Sequence, residues 1–177
     1  MYKALYGDSR LAVNDRISFA IDVLGVAGML YIGALARIPL PFTPAPLTLQ
    51  TLVVLVAPFL LGRSRALAGI GLYLVLGLSA SITNVSVFTT ASGATCGYLA
   101  GFLVAPVVMA RFPKTPAGVF TAMAAGSMLI LLLGALWLSV FLRISPGQAV
   151  LIGLAPFLPG DMIKVALACV IVRRLGV

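Results

Sequence analysis

Histidine and glutamate are absent from this 177-residue chain, and only four aspartates, Asp8, Asp15, Asp22 and Asp161, carry negative side-chain charge. Zinc and calcium sites of the usual kinds need clusters of His, Cys or carboxylate groups, so no metal is expected. A serine or cysteine nucleophile would have no histidine to act as its base; a serine paired with Lys164 is the one arrangement left, and nothing beside it supports catalysis. No phosphate loop of the G-x-x-x-x-G-K-S/T type occurs, which removes ATP hydrolysis by that route. The two cysteines, Cys96 and Cys169, stand far apart in apolar surroundings and cannot make a disulfide framework. Neither an enzyme nor a cofactor carrier is expected from this inventory.

Charge of either sign is scarce as well. Charged residues make up 9% of the chain and apolar residues 62%, whereas ordinary soluble domains are roughly 25% charged and about 45–50% apolar. With a mean hydropathy of +1.17, the chain cannot coat a globule with polar groups, and the surplus apolar surface must face a lipid bilayer. The net charge of +8 does not indicate nucleic acid. Its basic residues sit in ones and twos between apolar runs, not on one face interleaved with aromatics. No cleavable signal peptide is expected, because Lys3, Arg10 and Arg16 mix with Asp8 and Asp15 before the first apolar run and no small-residue cleavage site follows it.

A membrane-crossing helix needs about 20 mostly apolar residues. Six segments are expected to cross: residues 17–36, 48–61, 66–80, 95–110, 117–142 and 156–172. The fold class is therefore all-α, a polytopic bundle of six transmembrane helices forming one integral membrane domain over residues 1–177. Nine basic residues flank the spans on one side: Lys3, Arg10, Arg16, Arg63, Arg65, Arg111, Lys114, Arg173 and Arg174. Only Arg37 and Arg143 fall on the other, and Lys164 lies within a span. The positive-inside rule then places both termini in the cytoplasm, in a multi-pass protein of the bacterial plasma membrane.

Two external loops stand out. Residues 37–47 hold Pro39, Pro41, Pro44 and Pro46, which cannot continue a helix and force extended geometry on their predecessors. Residues 81–93 are rich in Ser, Thr, Asn and Gly but uncharged. Irregular polar backbone near lipid is tolerated where protein or a watery cavity covers it. Such loops read either as a lid over an outward cavity or as plain connectors in the headgroup region.

The strongest local signal is "PFLPGDMIK" at 156–164. Asp161 and Lys164 are three residues apart and share a helix face, at the external start of the last span. Charged groups inside a span are expensive and usually face a bundle interior or a solute path. The pair reads as a binding site for one polar ligand, against the alternative of a mutually satisfied ion pair near a helix N-terminus. Asp22, the other carboxylate within a span, reads as neutralised by Arg16 or Arg65. Arg37 either snorkels to headgroups or reaches an anionic solute under the loop. Gly97 and Gly101 are spaced for close helix packing, with Thr95 and Tyr98 near enough to reach a cavity. Trp137, Tyr2 and Tyr6 read as interfacial belt residues.

Taken together, "IPLPFTPAPLTLQTL" (38–52), "GATCGYLAGF" (93–102) and "PFLPGDMIK" (156–164) resemble the BioY family, the biotin-binding S components of energy-coupling-factor (ECF) vitamin transporters. The resemblance covers nearly the whole chain. It implies a six-helix bundle that binds biotin near the outer face under the first external loop. It also implies partnership with an ECF module of a transmembrane coupling protein and two ATPases. Carried over by motif position, the pocket would be built from Phe42, Thr43, Pro44, Gln50, Thr95, Tyr98, Asp161 and Lys164. Asn84, the only amide of the second external loop, is added as a further ligand. The family's usual "GPTGGYL" reads "GATCGYL" here, and the first helix lacks a clean A-x-x-x-A pair. Two other functions compete: a stand-alone ion-coupled carrier of another small vitamin-like solute, for which only Asp22 and Asp161 offer intramembrane carboxylates, and a structural subunit without ligand.

Overall fold

Prolines and glycines punctuate the chain where helices begin and end. A computed structural model describes residues 15–82 and 93–176. Within them the chain forms α1 (Asp15–Leu35), two short strands β1 (Arg37–Ile38) and β2 (Leu47–Thr48), α2 (Gln50–Leu61) and α3 (Arg63–Ile82). A 3-10 turn (Gly93–Thr95) then opens α4 (Cys96–Met109), followed by α5 (Pro116–Phe141), α6 (Pro146–Gly153), a second 3-10 turn (Ala155–Phe157) and α7 (Leu158–Arg174). Thr115 caps α5 by accepting the Gly118 amide at 3.1 Å, with Pro116 in the first turn where its missing N–H is harmless. Ser145 and Gln148 form a reciprocal capping box at the start of α6. Gly62 ends α2 at φ 85°, in the left-handed region, so the tight link into α3 calls for glycine at this position.

The helices pack around one apolar core to which every long element contributes. Leu30 of α1, Val54 and Leu55 of α2, Ile70 of α3, Phe102 of α4, Met123 and Ile130 of α5 and Val172 of α7 are all buried in it. The outward faces remain apolar: Leu24, Ile32, Val75, Leu136, Val140, Met162 and Ile163 are exposed. An apolar belt of this extent would be a liability in water and suits hydrocarbon. The chain is an all-α, multi-pass membrane protein. Among the described residues three pieces, Asp15–Leu35, Pro116–Phe141 and the interrupted Pro146–Arg174, are long and apolar enough to cross a membrane. The 12-residue α2 and 14-residue α4 are shorter, and each contains a proline, Pro58 and Pro106.

Small residues set the tightest seam, between α4 and α5. A Cβ at Gly101 would lie 2.8 Å from Ile130 Cα, and one at Gly97 would overlap Trp137 and the Leu133 carbonyl. The close approach expected from the Gly97–Gly101 spacing is thus present. Trp137, expected as a belt residue, also donates its indole N–H to the Gly93 carbonyl at 2.6 Å, tying α5 to the turn that opens α4.

The last span departs from a simple helix. Residues 156–172 are helical as expected, but α6 precedes them in what read as a loop. Leu154 leaves helical geometry at φ −124°, ψ −56°, and Pro156 in the following turn can donate no backbone hydrogen bond. The proline-rich segment also takes on regular structure at its base. Strands β1 and β2 pair antiparallel, Arg37 opposite Thr48 and Ile38 opposite Leu47, and the Leu49 amide donates to the Gly33 carbonyl of α1 at 3.2 Å. Ala45 is buried against Leu131, Ala135, Leu154 and Phe157, which seats the tip of this ribbon on α5 and on the α6–α7 break.

Candidate functional site

Beneath the β1–β2 ribbon lies a cavity of about 380 Å³, within the roughly 300–1,000 Å³ range of small-molecule sites. Its wall is mostly apolar, with Leu99, Phe102, Ile130, Leu131 and Phe157 contributing. A few polar groups converge on it, and each of those described next is held by a partner.

Asp161 and Lys164, one turn apart at the start of α7, are 4% and 5% exposed. Lys164 Nζ donates to Asp161 Oδ1 at 2.7 Å, and the Ser127 hydroxyl of α5 donates to Asp161 Oδ2 at 2.8 Å. Both carboxylate oxygens are thereby oriented before any ligand arrives. A carboxylate offers about four acceptor sites and an ammonium three donors, so two acceptors on Asp161 and two donors on Lys164 are left for a guest. The position of Asp161 in the first turn of α7 also suits the positive end of the helix dipole.

Also on the cavity wall, the Gln50 side-chain amide donates to the Tyr73 hydroxyl at 2.6 Å and its oxygen accepts from Thr48 Oγ1 at 3.3 Å. This links strand β2 to α2 and α3. Tyr98 of α4 lies against Gly134 of α5 so closely that a Cβ at Gly134 would overlap its ring, and its ring centroid is 5.9 Å from that of Phe157. Its hydroxyl donates to the Gly153 carbonyl at 2.5 Å, satisfying an acceptor at the C-terminal end of α6 that the interrupted helix leaves open. Tyr98 therefore braces the break before α7 and meets the cavity with its ring. Tyr98→Phe is expected to lower stability by about 1 kcal/mol, read by thermal unfolding in detergent, while the affinity of the bound solute changes by less than about threefold. A large loss of affinity with unchanged stability would mean that the hydroxyl contacts the ligand instead.

Of the residues expected at the site, the structure brings together Gln50, Thr95, Tyr98, Asp161 and Lys164 around the cavity. Phe42 is 55% exposed, Pro44 is exposed too, and neither lines the wall. Thr43 is buried but turned to the loop itself, accepting from the Ala45 amide at 3.4 Å; Ala45 and Pro46 are the residues of the proline-rich loop that line the hollow. Asn84 lies outside the described residues, as does most of the second loop. Sequence reasoning passed over Ser127 and Tyr73. Ser127 is a lone hydroxyl in the middle of the most apolar span, a signal that was there to be read. Asp22 is ion-paired with Arg65, which also donates to Ser18 Oγ at 3.0 Å. That carboxylate is neutralised between α1 and α3, away from the cavity.

The chain is thus a small integral membrane protein, an interrupted helical bundle with a ligand-sized hollow and a buried acid–amine pair on its wall. The sequence profile of the BioY family matches residues 9–176, and the chain belongs to that family. It is 32% identical to the biotin transporter BioY of Lactococcus lactis subsp. cremoris (strain MG1363) over 165 residues, covering 84% of this chain and 85% of that protein. The probable biotin transporter BioY of Pyrococcus horikoshii is 31% identical over 147 residues, covering 79% and 86%. In structure the chain is similar to the crystallised S-component for biotin from an ECF-type ABC transporter. The TM-score is 0.77 at 26% identity, over 93% of this chain and 94% of the other. These relatives are transporters and transporter components by name, not enzymes.

Proposed function

We propose that this protein is the membrane-embedded binding component of a biotin uptake system, taking up its ligand in the cavity beneath the proline-rich ribbon. The observation that carries this reading is the buried Asp161–Lys164 pair, oriented by Ser127 and opening into a ligand-sized hollow. Biotin presents two ureido N–H donors, a strong carbonyl acceptor, an apolar thioether ring and a carboxylate tail. Asp161 accepts a ureido N–H, Lys164 donates to the ureido carbonyl or the carboxylate, and the apolar wall covers the ring. Both termini face the cytoplasm of a bacterial plasma membrane and the ribbon faces outward, in keeping with the basic residues gathered at the Arg63–Arg65 end. Energy comes from an ECF module of one transmembrane coupling protein and two ATPases, since the chain carries no phosphate loop of its own.

The stand-alone ion-coupled carrier finds less support. Its two intramembrane carboxylates, Asp22 and Asp161, are both held in ion pairs, which leaves neither of them free to relay protons.

Purified protein in detergent is expected to bind labelled biotin saturably, and biotin at about 1,000 times its Kd should stabilise the fold by about 4 kcal/mol. Absence of both binding and stabilisation at micromolar biotin, with another vitamin active in the same thermal-shift screen, would replace biotin by that vitamin.

A further inference from the structure

Beyond the acid–amine pair, the cavity meets one more charge. Among the described residues its lining includes three charged side chains, Asp161, Lys164 and Arg37, so two cations face one anion and the hollow carries a net positive charge. The inner pair is closed on itself at 2.7 Å. Arg37 is exposed at the outer end of α1, and no hydrogen bond or ion pair engages its guanidinium among the described residues. Its backbone is nonetheless fixed, because β1 pairs Arg37 with Thr48, itself on the cavity wall and bonded to Gln50.

We propose that Arg37 receives the carboxylate of the ligand at the cavity mouth, so that the site selects a monoanion whose neutral polar head lies inward on Asp161 and Lys164. The proposal rests on the biotin reading and resolves which end of the ligand points where. A carboxylate pushed inward would meet Asp161, a like charge in a buried setting, and would compete with it for Lys164; like charges in such a site are strongly disfavoured. A neutral ureido group has the opposite fit. It offers donors to Asp161 and an acceptor to Lys164 without upsetting their charge balance. The guanidinium at the rim presents a planar fork of donors that matches a carboxylate in bidentate geometry. One charge-compensated pair deep in the hollow and one uncompensated cation at its mouth therefore match a long ligand with a neutral head and an anionic tail.

The test pairs two ligands with three proteins. Biotin and biotin methyl ester, which lacks the charge, are titrated into the full chain, Arg37→Gln and Arg37→Lys in detergent. Biotin is expected to bind the parent at least about 10-fold tighter than the ester. Arg37→Gln should weaken biotin by about 10- to 100-fold and the ester by less than about twofold, and Arg37→Lys should recover part of the loss. Retained ester binding doubles as proof that the variant is folded. Equal affinity of the parent for both ligands, or an equal loss of both in Arg37→Gln, would overturn the assignment and leave Arg37 as a headgroup anchor, with the biotin reading intact. A parent that binds neither ligand removes the biotin reading itself, and this proposal with it.

Discussion

Lys164→Met alone is expected to destabilise the bundle by about 3–5 kcal/mol, and more than Lys164→Met combined with Asp161→Asn. The reason lies in what each change leaves behind. Removing the amine strands a carboxylate that is 4% exposed, with the Ser127 hydroxyl still donating to it. A buried charge without its counter-ion is far more costly than the absence of the pair. The double change removes both charges together. The asparagine would keep an acceptor for Ser127, and the methionine would fill the space of the lysine stem with apolar atoms. The fold of the double variant should therefore survive, as thermal unfolding in detergent would report.

Binding should follow a different order. If each side chain makes one charge-assisted hydrogen bond to the ligand, worth about 1.5–3 kcal/mol, the folded double variant should lose at least about 100-fold in biotin affinity. A stable double variant that has lost the ligand identifies the pair as a binding device, whereas a stable double variant that still binds biotin would leave it as a structural ion pair. A single variant no less stable than the double would show that Asp161 finds water or another partner, contrary to its burial.

Much of this arrangement was legible in the chain, for reasons that differ from residue to residue. The spans are written in composition, because hydrocarbon tolerates little else, and their rough limits survive from residue 17 to residue 172. Asp161 and Lys164 could be paired from spacing alone, since a helix turn fixes their separation and the expense of charge in a span makes them conspicuous. On the same logic Asp22 reads as neutralised by Arg16 or Arg65, and the structure pairs it with Arg65. Contacts between distant segments were less legible. Nothing local distinguishes Phe42 from Ala45, yet only the second faces the hollow, because which side of a proline-rich loop turns inward depends on the surface it lands on. Here that surface is Leu131, Ala135 and Phe157. Tyr73 and Ser127 acquire their roles from Gln50 and Asp161, 23 and 34 residues away. The helix α6 escaped notice because its eight residues are too short to show periodicity, although Ser145, Pro146 and Gln148 carried the capping signal.

The second large effect is expected at the α4–α5 seam. Gly97→Ala should destabilise the bundle by about 1–3 kcal/mol and weaken biotin binding at the same time. A methyl group there would collide with the Leu133 carbonyl, which is backbone, as well as with Trp137. A side chain can rotate aside, but a carbonyl moves only if the helix moves. Separating α4 from α5 would carry Thr95 and Tyr98 away from the cavity wall, loosen Tyr98 from its seat on Gly134 and disturb the bond that braces Gly153. Loss of stability and loss of affinity are thus coupled through one geometric cause. Gly25→Ala in α1 and Gly71→Ala in α3 are the contrast, because a Cβ at either position meets nothing within 4 Å. With no clash, the ordinary preference of helices for alanine over glycine should leave both variants unchanged or more stable by roughly 0.5–1 kcal/mol. Thermal unfolding and biotin titration of the three variants side by side would decide the matter. If Gly97→Ala proved as stable as Gly25→Ala, with full affinity, then the two helices are not held in contact at this point and the wall of the site is set by something else.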